Sequence, residues 1–549
     1  MITTPREPFL MLIRLLIALL SISLSAVAGN ATASDRPNIL LIVADDLGYA
    51  DLGVYGSEIE TPNIDQLATN GVLFTQFHTA PMCAPTRAML LTGNNNAVAG
   101  VASQHRFGLG GAPVPGYEAS LSDRVAPLQR VLRDSGYNTY MIGKWHLGAA
   151  DHQSPFASGF NRTFTLMQGG GTHFDNVGFE SEFSHFRENG VTTRYPDGEY
   201  STDFYTNKII DFIEADKETG QPFFVYAAYT TPHWPLQVPD EYLDLYRGRY
   251  DDGYDVLRER RFESLKEAGI IPLDSSLPPR NDVITPWVDL SPDQQKVESR
   301  MMEIYASMID NFDDHVGRLI DYLEDNNLYD NTLIVFMGDN GAAAEDFYNG
   351  YPYDGYTAHI RANFDNSLEN IGTARSFAAY GAQWAEAGSA PFRWRKSFML
   401  EGGIVAPMIV SGTGVGRSGD IDPAYVTVMD IAPTLIEAAG AEYPDDGSVR
   451  PMVGESMGPF LAGTASQVHD DGYVTVLLHR GQAMVRKGHW KIVTTFAPFD
   501  ESRFELYDLA SDPGETVNLR NEEPEIFAEL LGLWRVKRRE YGYVLPQDL

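Results

Sequence analysis

Cysteine is nearly absent from this 549-residue chain, which carries only Cys83, so no intramolecular disulfide can form and no paired-cysteine metal site is available. Basic residues are scarce too. Lys and Arg total 41 against 75 Asp and Glu, a formal charge of −34 spread along the whole length. That balance argues against nucleic acid as a partner and repels polyanions at long range. Any anionic ligand must be captured by a local group of cations that overrides the surrounding field. Long apolar runs are also missing, apart from one near the N-terminus, where Arg6 and Arg14 precede a mostly apolar stretch from Leu15 to Ala28. About 14 residues fall short of the roughly 20 needed to cross a bilayer. With Ala26-Val27-Ala28 ahead of Gly29, the stretch is expected to be a signal peptide over residues 1–28, with a second candidate cut after Ala33. The mature protein would then be periplasmic or secreted, with no stable membrane anchor. An exported chain with one unpaired thiol needs an explanation, because a lone cysteine by itself is usually an inert buried side chain.

What the chain does have is apolar material for a large core, 43% of its residues. Four short apolar runs share one pattern, a buried strand that stops at a polar cluster. Asn38–Ala44 ends at Asp45-Asp46, Thr332–Met337 at Gly338-Asp339-Asn340-Gly341, and Thr139–Ile142 at Gly143-Lys144-Trp145-His146, while Phe223–Ala228 leads to Thr230-Thr231-Pro232-His233. Helical spacing separates them, clearest at Tyr305, Met308, Ile309, Phe312, Val316, Leu319, Ile320 and Leu323. Strands alternating with helices predict an α/β fold with a large mixed, mainly parallel sheet sandwiched by helices. Ligands of such sheets bind at the carboxyl ends of strands, where all four polar clusters fall. The expected catalytic domain spans 36–460. Strand patterns near Tyr473–Leu478 and Trp490–Val493 and an amphipathic helix around Ile526–Trp534 predict a smaller C-terminal α+β domain over 465–549.

Asp45, Asp46 and Asp339, with the carboxamide of Asn340, should meet at one sheet edge, and three converging carboxylates need a cation. Oxygen donors without paired His or Cys suit a hard ion, Ca²⁺ or Mg²⁺, better than zinc. Cys83 sits in Pro81-Met82-Cys83-Ala84-Pro85-Thr86-Arg87-Ala88-Met89-Leu90-Leu91-Thr92-Gly93. This segment resembles the sulfatase signature C-x-P-x-R with its Leu-Thr-Gly ending, and Gly136–His146 resembles a second sulfatase signature. The likeness runs from Arg36-Pro37-Asn38 to Glu505–Leu509 and is strongest to bacterial arylsulfatases.

The resemblance implies an alkaline phosphatase-like fold, a bound Ca²⁺ ahead of Mg²⁺, and conversion of Cys83 to formylglycine by a maturation enzyme that recognises Pro85 and Arg87. A hydrated aldehyde offers two hydroxyls on one carbon, one to attack sulfur and one to eject sulfate afterwards. The implied metal set is Asp45, Asp46, Asp339 and Asn340, with the modified side chain of Cys83 beside the ion. Arg87 holds that side chain, Lys144 and Lys396 contact sulfate, His146 helps break down the sulfated intermediate, and His233 serves the leaving oxygen, all by the same likeness. The expected activity is hydrolysis of a small sulfate ester or sulfated sugar. The alternatives are a phosphonate monoester or phosphodiester hydrolase of the same superfamily, and a catalytically silent binder of sulfated glycans.

Two stretches, Asp240–Trp287 and Ala342–Trp394, lack periodicity and are expected to be excursions over the active face or surface decoration. His173, after Gly169-Gly170-Gly171, and the aromatics Tyr351, Tyr353, Trp384 and Trp394 are candidate linings of the alcohol side of the pocket. His315, amid a helical stretch, is expected to be solvated.

Overall fold

The computed structural model describes residues 36–545 except 106–107, 110–111, 180–181 and 353, so the expected signal peptide and Tyr353 lie outside the described residues. The strands are β1 (Asn38–Ala44), β2 (Gly71–His78), β3 (Gly108–Leu109), β4 (Ala112–Pro113), β5 (Asn138–Lys144), β6 (Arg162–Leu166), β7 (Phe186–Glu188) and β8 (Val191–Thr193). They continue with β9 (Phe223–Ala228), β10 (Thr332–Gly338), β11 (Met408–Gly412), β12 (Asp420–Thr427), β13 (Val474–His479), β14 (Gln482–Lys487), β15 (Trp490–Val493) and β16 (Glu505–Asp508). Ten of them form one sheet in the order β12-β2-β11-β10-β1-β9-β5-β6-β7-β8. Its centre, β10-β1-β9-β5-β6, is parallel throughout, and antiparallel pairs flank it on both sides.

Alternation along β1 explains why the centre is continuously apolar. Leu40, Ile42 and Ala44 enter one core with the helices Pro62–Thr69, Ser201–Asp216 and Pro292–Asp325, while Ile39, Leu41 and Val43 enter another with Cys83–Thr92, Leu128–Asp134 and Ile431–Ala438. Each face is covered by helices, as the run pattern predicts for a parallel sheet. Gly143 lets β5 approach β9 just before the strand ends. A Cβ there would lie 1.9 Å from the Ala228 carbonyl oxygen, and its φ of +101° is left-handed, so only glycine fits.

The second sheet, β13-β14-β15-β16, is a small antiparallel unit with two dry faces. Val476, Val485, Ile492 and Leu506 pack on Leu530 and Trp534 of the helix Pro524–Tyr541. Leu477, Met484, Val493 and Tyr507 face the other way, into a core of the large sheet. The small domain is therefore fixed to the large one by shared apolar packing.

The long helix Pro292–Asp325 starts at a capping box formed by Ser291 and Gln294, with Pro292 in its first turn. His315 is not solvated as expected: it is 4% exposed. Its Nε2 lies 3.2 Å from Asp203 and its Nδ1 3.0 Å from Arg318, because the helix Ser201–Asp216 packs over that face and satisfies the ring.

Trp384 also departs from expectation. It is fully buried behind the sheet, edge-on to Tyr250 and Tyr254 and near Trp287, and its indole N–H donates to Glu298 at 3.1 Å. Tyr250, Tyr254 and Trp287 thus pack into the core, and no residue of 240–287 lines the cleft described below. Burial pushes the Glu298 carboxyl up to about 7, even though Gln383 and Trp384 donate to it. The stability contributed by its protonated form is fully present below about 4.5, the ordinary carboxyl value, and is lost as pH rises through about 7. Glu298→Gln keeps both hydrogen bonds and cannot ionise. Its unfolding free energy should therefore gain on the unchanged protein by on the order of 2 kcal/mol between about pH 5 and about pH 8. Parallel pH profiles of the two proteins in denaturant melts would exclude this.

Candidate active site

Because β10, β1, β9 and β5 are consecutive in the sheet, the four polar clusters that end them lie side by side. Backbone bonds lock the ends together: the Asp45 amide donates to Thr231 at 3.0 Å and the Asp339 amide to Ala44 at 3.2 Å. The helix Cys83–Thr92 starts over this edge, so Cys83 occupies its first turn, 2% exposed, with Sγ 3.7 Å from Asp46 Oδ1.

Three carboxylates and three side-chain cations interlock here. Lys144 Nζ reaches both oxygens of Asp45 at 2.8 and 2.7 Å. Arg87 donates through Nε and Nη2 to Asp339 Oδ2 at 3.0 and 2.8 Å, and through Nη1 to the Lys144 carbonyl at 2.9 Å. Lys396, from a loop far along the chain, reaches Asp46 Oδ2 at 2.7 Å. Burial opposes ionisation of Asp46, but Lys396, His233 and Lys144 hold it well below the usual carboxylate range. Asp339 goes the other way, pushed up to about 6 by burial and Asp45 despite Arg87. Burial likewise pushes the Cys83 thiol well above its ordinary value, against the pull of Lys144 and Lys396.

Both expected histidines face the cluster. His233 Nε2 is 3.4 Å from Asp46 Oδ2, while its Nδ1 bonds the Trp234 carbonyl at 2.6 Å. Burial pushes His233 down to about 3 although Asp46 pulls upward, and burial with Lys144 and Arg87 pushes His146 well below its usual value. His146 Nδ1 is buried without a hydrogen-bond partner. The glycine run that the sequence places before His173 serves these two rings: a Cβ at Gly169 would lie 2.6 Å from His146 Cε1, and one at Gly170 3.0 Å from His233 Cε1. His173 itself is not in the cleft. It sits behind His233, with Nε2 3.1 Å from the His233 carbonyl and Nδ1 2.6 Å from Ser201 Oγ.

Left-handed backbone is concentrated around this site. Asp46, Ala119, His146, Trp394, Ser397 and Arg480 all have positive φ, a conformation that costs a non-glycine residue about 1–3 kcal/mol and is kept where the surroundings demand it.

The donor set fits a hard cation. Ligand atoms of Asp45, Asp46, Cys83 and His233 lie within 4.8 Å of one another. Asn340 donates to Asp46 Oδ1 at 2.8 Å, and its own Oδ1 is a buried acceptor with no donor. Asp339, like Asp45 and Asp46, has both oxygens engaged, Oδ2 by Arg87 and Oδ1 by the Asp46 amide at 3.2 Å. An imidazole in the group, which the sequence pattern did not anticipate, does not displace the oxygen majority.

Above the cluster opens a cleft of about 380 Å³ that reaches Cys83, His146, His233 and Lys396. Phe179, Trp234 and Phe347 form an apolar wall, and Gln104, His105 and Arg480 also line it. Of the expected aromatics, Tyr351 stands 46% exposed outside the cleft and Trp394 packs on Phe398. Only part of 342–394 reaches it, through Glu345, Phe347 and Pro352. Sequence reasoning missed Glu345, which lies 3.8 Å from Lys396 with a buried Oε2 lacking a hydrogen bond. Its nearness to the Gly338–Gly341 cluster was the available signal.

A family model described as Sulfatase matches residues 37–441, and one described as N-sulphoglucosamine sulphohydrolase, C-terminal, matches residues 392–531. The chain is 39% identical over 534 residues to an uncharacterised sulfatase of Schizosaccharomyces pombe, covering 94% of this chain and 96% of that one. It is also 39% identical over 442 residues to an arylsulfatase of Klebsiella aerogenes, covering 78% and 93%. The crystal structure of Ps i-CgsB shares the fold, with a TM-score of 0.65 at 24% identity over 93% of this chain and 94% of that one.

Proposed function

Since this chain belongs to the sulfatase family and is a sulfuric ester hydrolase, we propose that it cleaves arylsulfatase-type substrates with a formylglycine made from Cys83 and a bound Ca²⁺. The observation that carries this reading is the meeting of Asp45, Asp46, Cys83 and His233 within 4.8 Å, with Lys144 and Lys396 seated on the same carboxylates.

Asp45, Asp46, Asp339 and Asn340 would hold the ion, which supplies Lewis acidity toward the sulfate and the nucleophile. Formylglycine, once hydrated, supplies one hydroxyl for attack and a second for expelling sulfate. The chain's own side chains do the rest. Arg87 fixes Asp339 and so orients one wall of the ion site. Lys144 and Lys396 aim positive charge at the place where a sulfate group gains negative charge during cleavage. His233 donates through Nδ1 to the Trp234 carbonyl, so Nε2 of the neutral ring is an acceptor facing the cluster, and it gives a proton to the leaving oxygen only after taking one up, which the negative charge of Asp46 and of a bound sulfate would favour. His146, past the end of the neighbouring parallel strand β5, manages the proton in the second half of the cycle.

A thiol only 2% exposed is out of reach of another enzyme in the folded state, so the maturation enzyme would act on the chain before it folds. Export before maturation is complete would then leave the protein silent. No helix among the described residues is long and apolar enough to cross a membrane; the periplasmic or secreted location rests on the apolar stretch from Leu15 to Ala28.

Dialysis against a chelator should lower kcat/KM on 4-nitrophenyl sulfate by on the order of 100-fold or more, with Ca²⁺ restoring it better than Mg²⁺. Undiminished turnover by protein shown to be metal-free would overturn the metal assignment. A higher kcat/KM on a phenyl phosphonate monoester than on the sulfate would move the reading to the phosphonate alternative. Absence of turnover on both would favour the silent binder.

A further inference from the structure

Arg480 stands at the tip of the hairpin joining β13 to β14, where His479 faces Gln482 and only Arg480 and Gly481 span the turn. Their φ values are +50° and +79°, the pattern of a tight two-residue turn that asparagine and glycine fill readily and arginine does not. The hairpin is pinned beside the reacting centre. Gln482 accepts from the Met399 amide at 3.2 Å and donates to the Ser397 carbonyl at 2.8 Å, in the loop that carries Lys396.

From this position Arg480 lines the same cleft as Cys83, and among the described residues its guanidinium has no hydrogen bond or ion pair. The acidic groups of the cleft are otherwise engaged. Glu118 accepts from the Gly116 amide at 2.8 Å and lies 3.8 Å from Arg124, and Glu345 lies 3.8 Å from Lys396. Arg480 is exposed at the mouth of the cleft on a left-handed turn, so its permanently charged fork can meet an anionic group entering the cleft without giving up a protein partner.

We propose that Arg480, with His105 on the same wall, binds a second anionic group, a carboxylate or a further sulfate, on the alcohol half of the substrate. This rests on the sulfate-ester reading and specifies its substrate class. Phe179, Trp234 and Phe347 supply an apolar wall of the cleft for the ring of the alcohol. The net charge of −34 excludes long polyanions at low salt more strongly than a small dianionic ester, on which Arg480 acts at contact range.

The test compares Arg480→Asn with the unchanged enzyme on phenyl sulfate, 4-carboxyphenyl sulfate and 1,4-phenylene disulfate. Asparagine before glycine favours this turn, so the variant should melt no lower than the parent. The variant-to-parent ratio for each ester cancels leaving-group reactivity, and comparing the ratios between esters cancels any difference in folded fraction. The expected result is a 10- to 100-fold loss of kcat/KM on one or both charged esters, roughly the scale of a charge-assisted hydrogen bond, with phenyl sulfate unchanged and Arg480→Lys recovering part of the loss. The ester that suffers more identifies the group. Equal ratios on all three esters would overturn the subsite while leaving the hydrolase reading intact. Inactivity of the parent on all three would overturn that reading and the subsite with it.

Discussion

Cys83→Ala should abolish sulfate-ester turnover, lowering kcat by on the order of 10⁶-fold, the scale on which a covalent nucleophile is lost. The loss would be chemical, since the Sγ contact is a single 3.7 Å approach to Asp46 Oδ1 and alanine suits the helix that begins there. Thermal unfolding should therefore shift by only a few degrees, as expected for about 1 kcal/mol. Cys83→Ser separates the two halves of the reaction, because one hydroxyl suffices for attack but none remains to expel sulfate. It should release alcohol about once per chain and then stop. Peptide mass spectrometry of the parent should find the residue-83 thiol replaced by an aldehyde that reacts with hydrazides. Full turnover by protein carrying an unmodified thiol would end the formylglycine mechanism.

Lys396→Met is the second large effect. The Lys396 ammonium is 4% exposed yet lines the cleft. Burial alone would lower its affinity for a proton, but Asp46 and its neighbours hold it charged well above the ordinary range. Methionine keeps much of the stem volume and removes the charge, so kcat/KM should fall by on the order of 10²- to 10³-fold, the scale of one preorganised transition-state contact. The variant also deprives Asp46 of its 2.7 Å partner, and with Asn340 and His233 still facing it the cost should stay below the about 3–5 kcal/mol of an unpaired buried carboxylate. Calcium should offset that cost, so the melting temperature of the variant should respond more strongly to added Ca²⁺ than that of the parent. A kcat/KM within about threefold of the parent, under 1 kcal/mol of barrier, would show that Lys396 is only a structural counter-ion to Asp46.

The expected signal peptide, residues 1–28, lies outside the described residues. Within them, the legible and illegible parts divide by the range of the interactions involved. Local composition foretold four of the five central strands, β10, β1, β9 and β5, because an apolar run ending in a polar cluster has one good solution in a sheet covered on both faces. It also foretold that Asp45, Asp46, Asp339, Lys144 and His233 would end those strands. The likeness of Pro81–Gly93 to the sulfatase signature marked Cys83 and Arg87 before any geometry was known. β14 and β16 went unread, since short antiparallel strands such as Gln482–Lys487 and Glu505–Asp508 mix polar and apolar residues with too few repeats to establish a period.

What only the tertiary structure decided was the environment of individual side chains. Trp384 and the candidate pocket aromatics carry the same local signal, but Tyr254 and Trp287 bury the indole far from the cleft, while Tyr351 remains outside it. His315 is buried because a neighbouring helix happens to present Asp203, and His173 supports His233 from behind. Glu345 and Arg480 enter the cleft on loops with no period to read. The chain's own order of residues thus determined which strands form and which reactive groups end them, because those outcomes depend on neighbours a few positions away. Which groups meet, and which lose their partners to the cleft, depends on contacts between residues hundreds of positions apart, and only packing brings those into range.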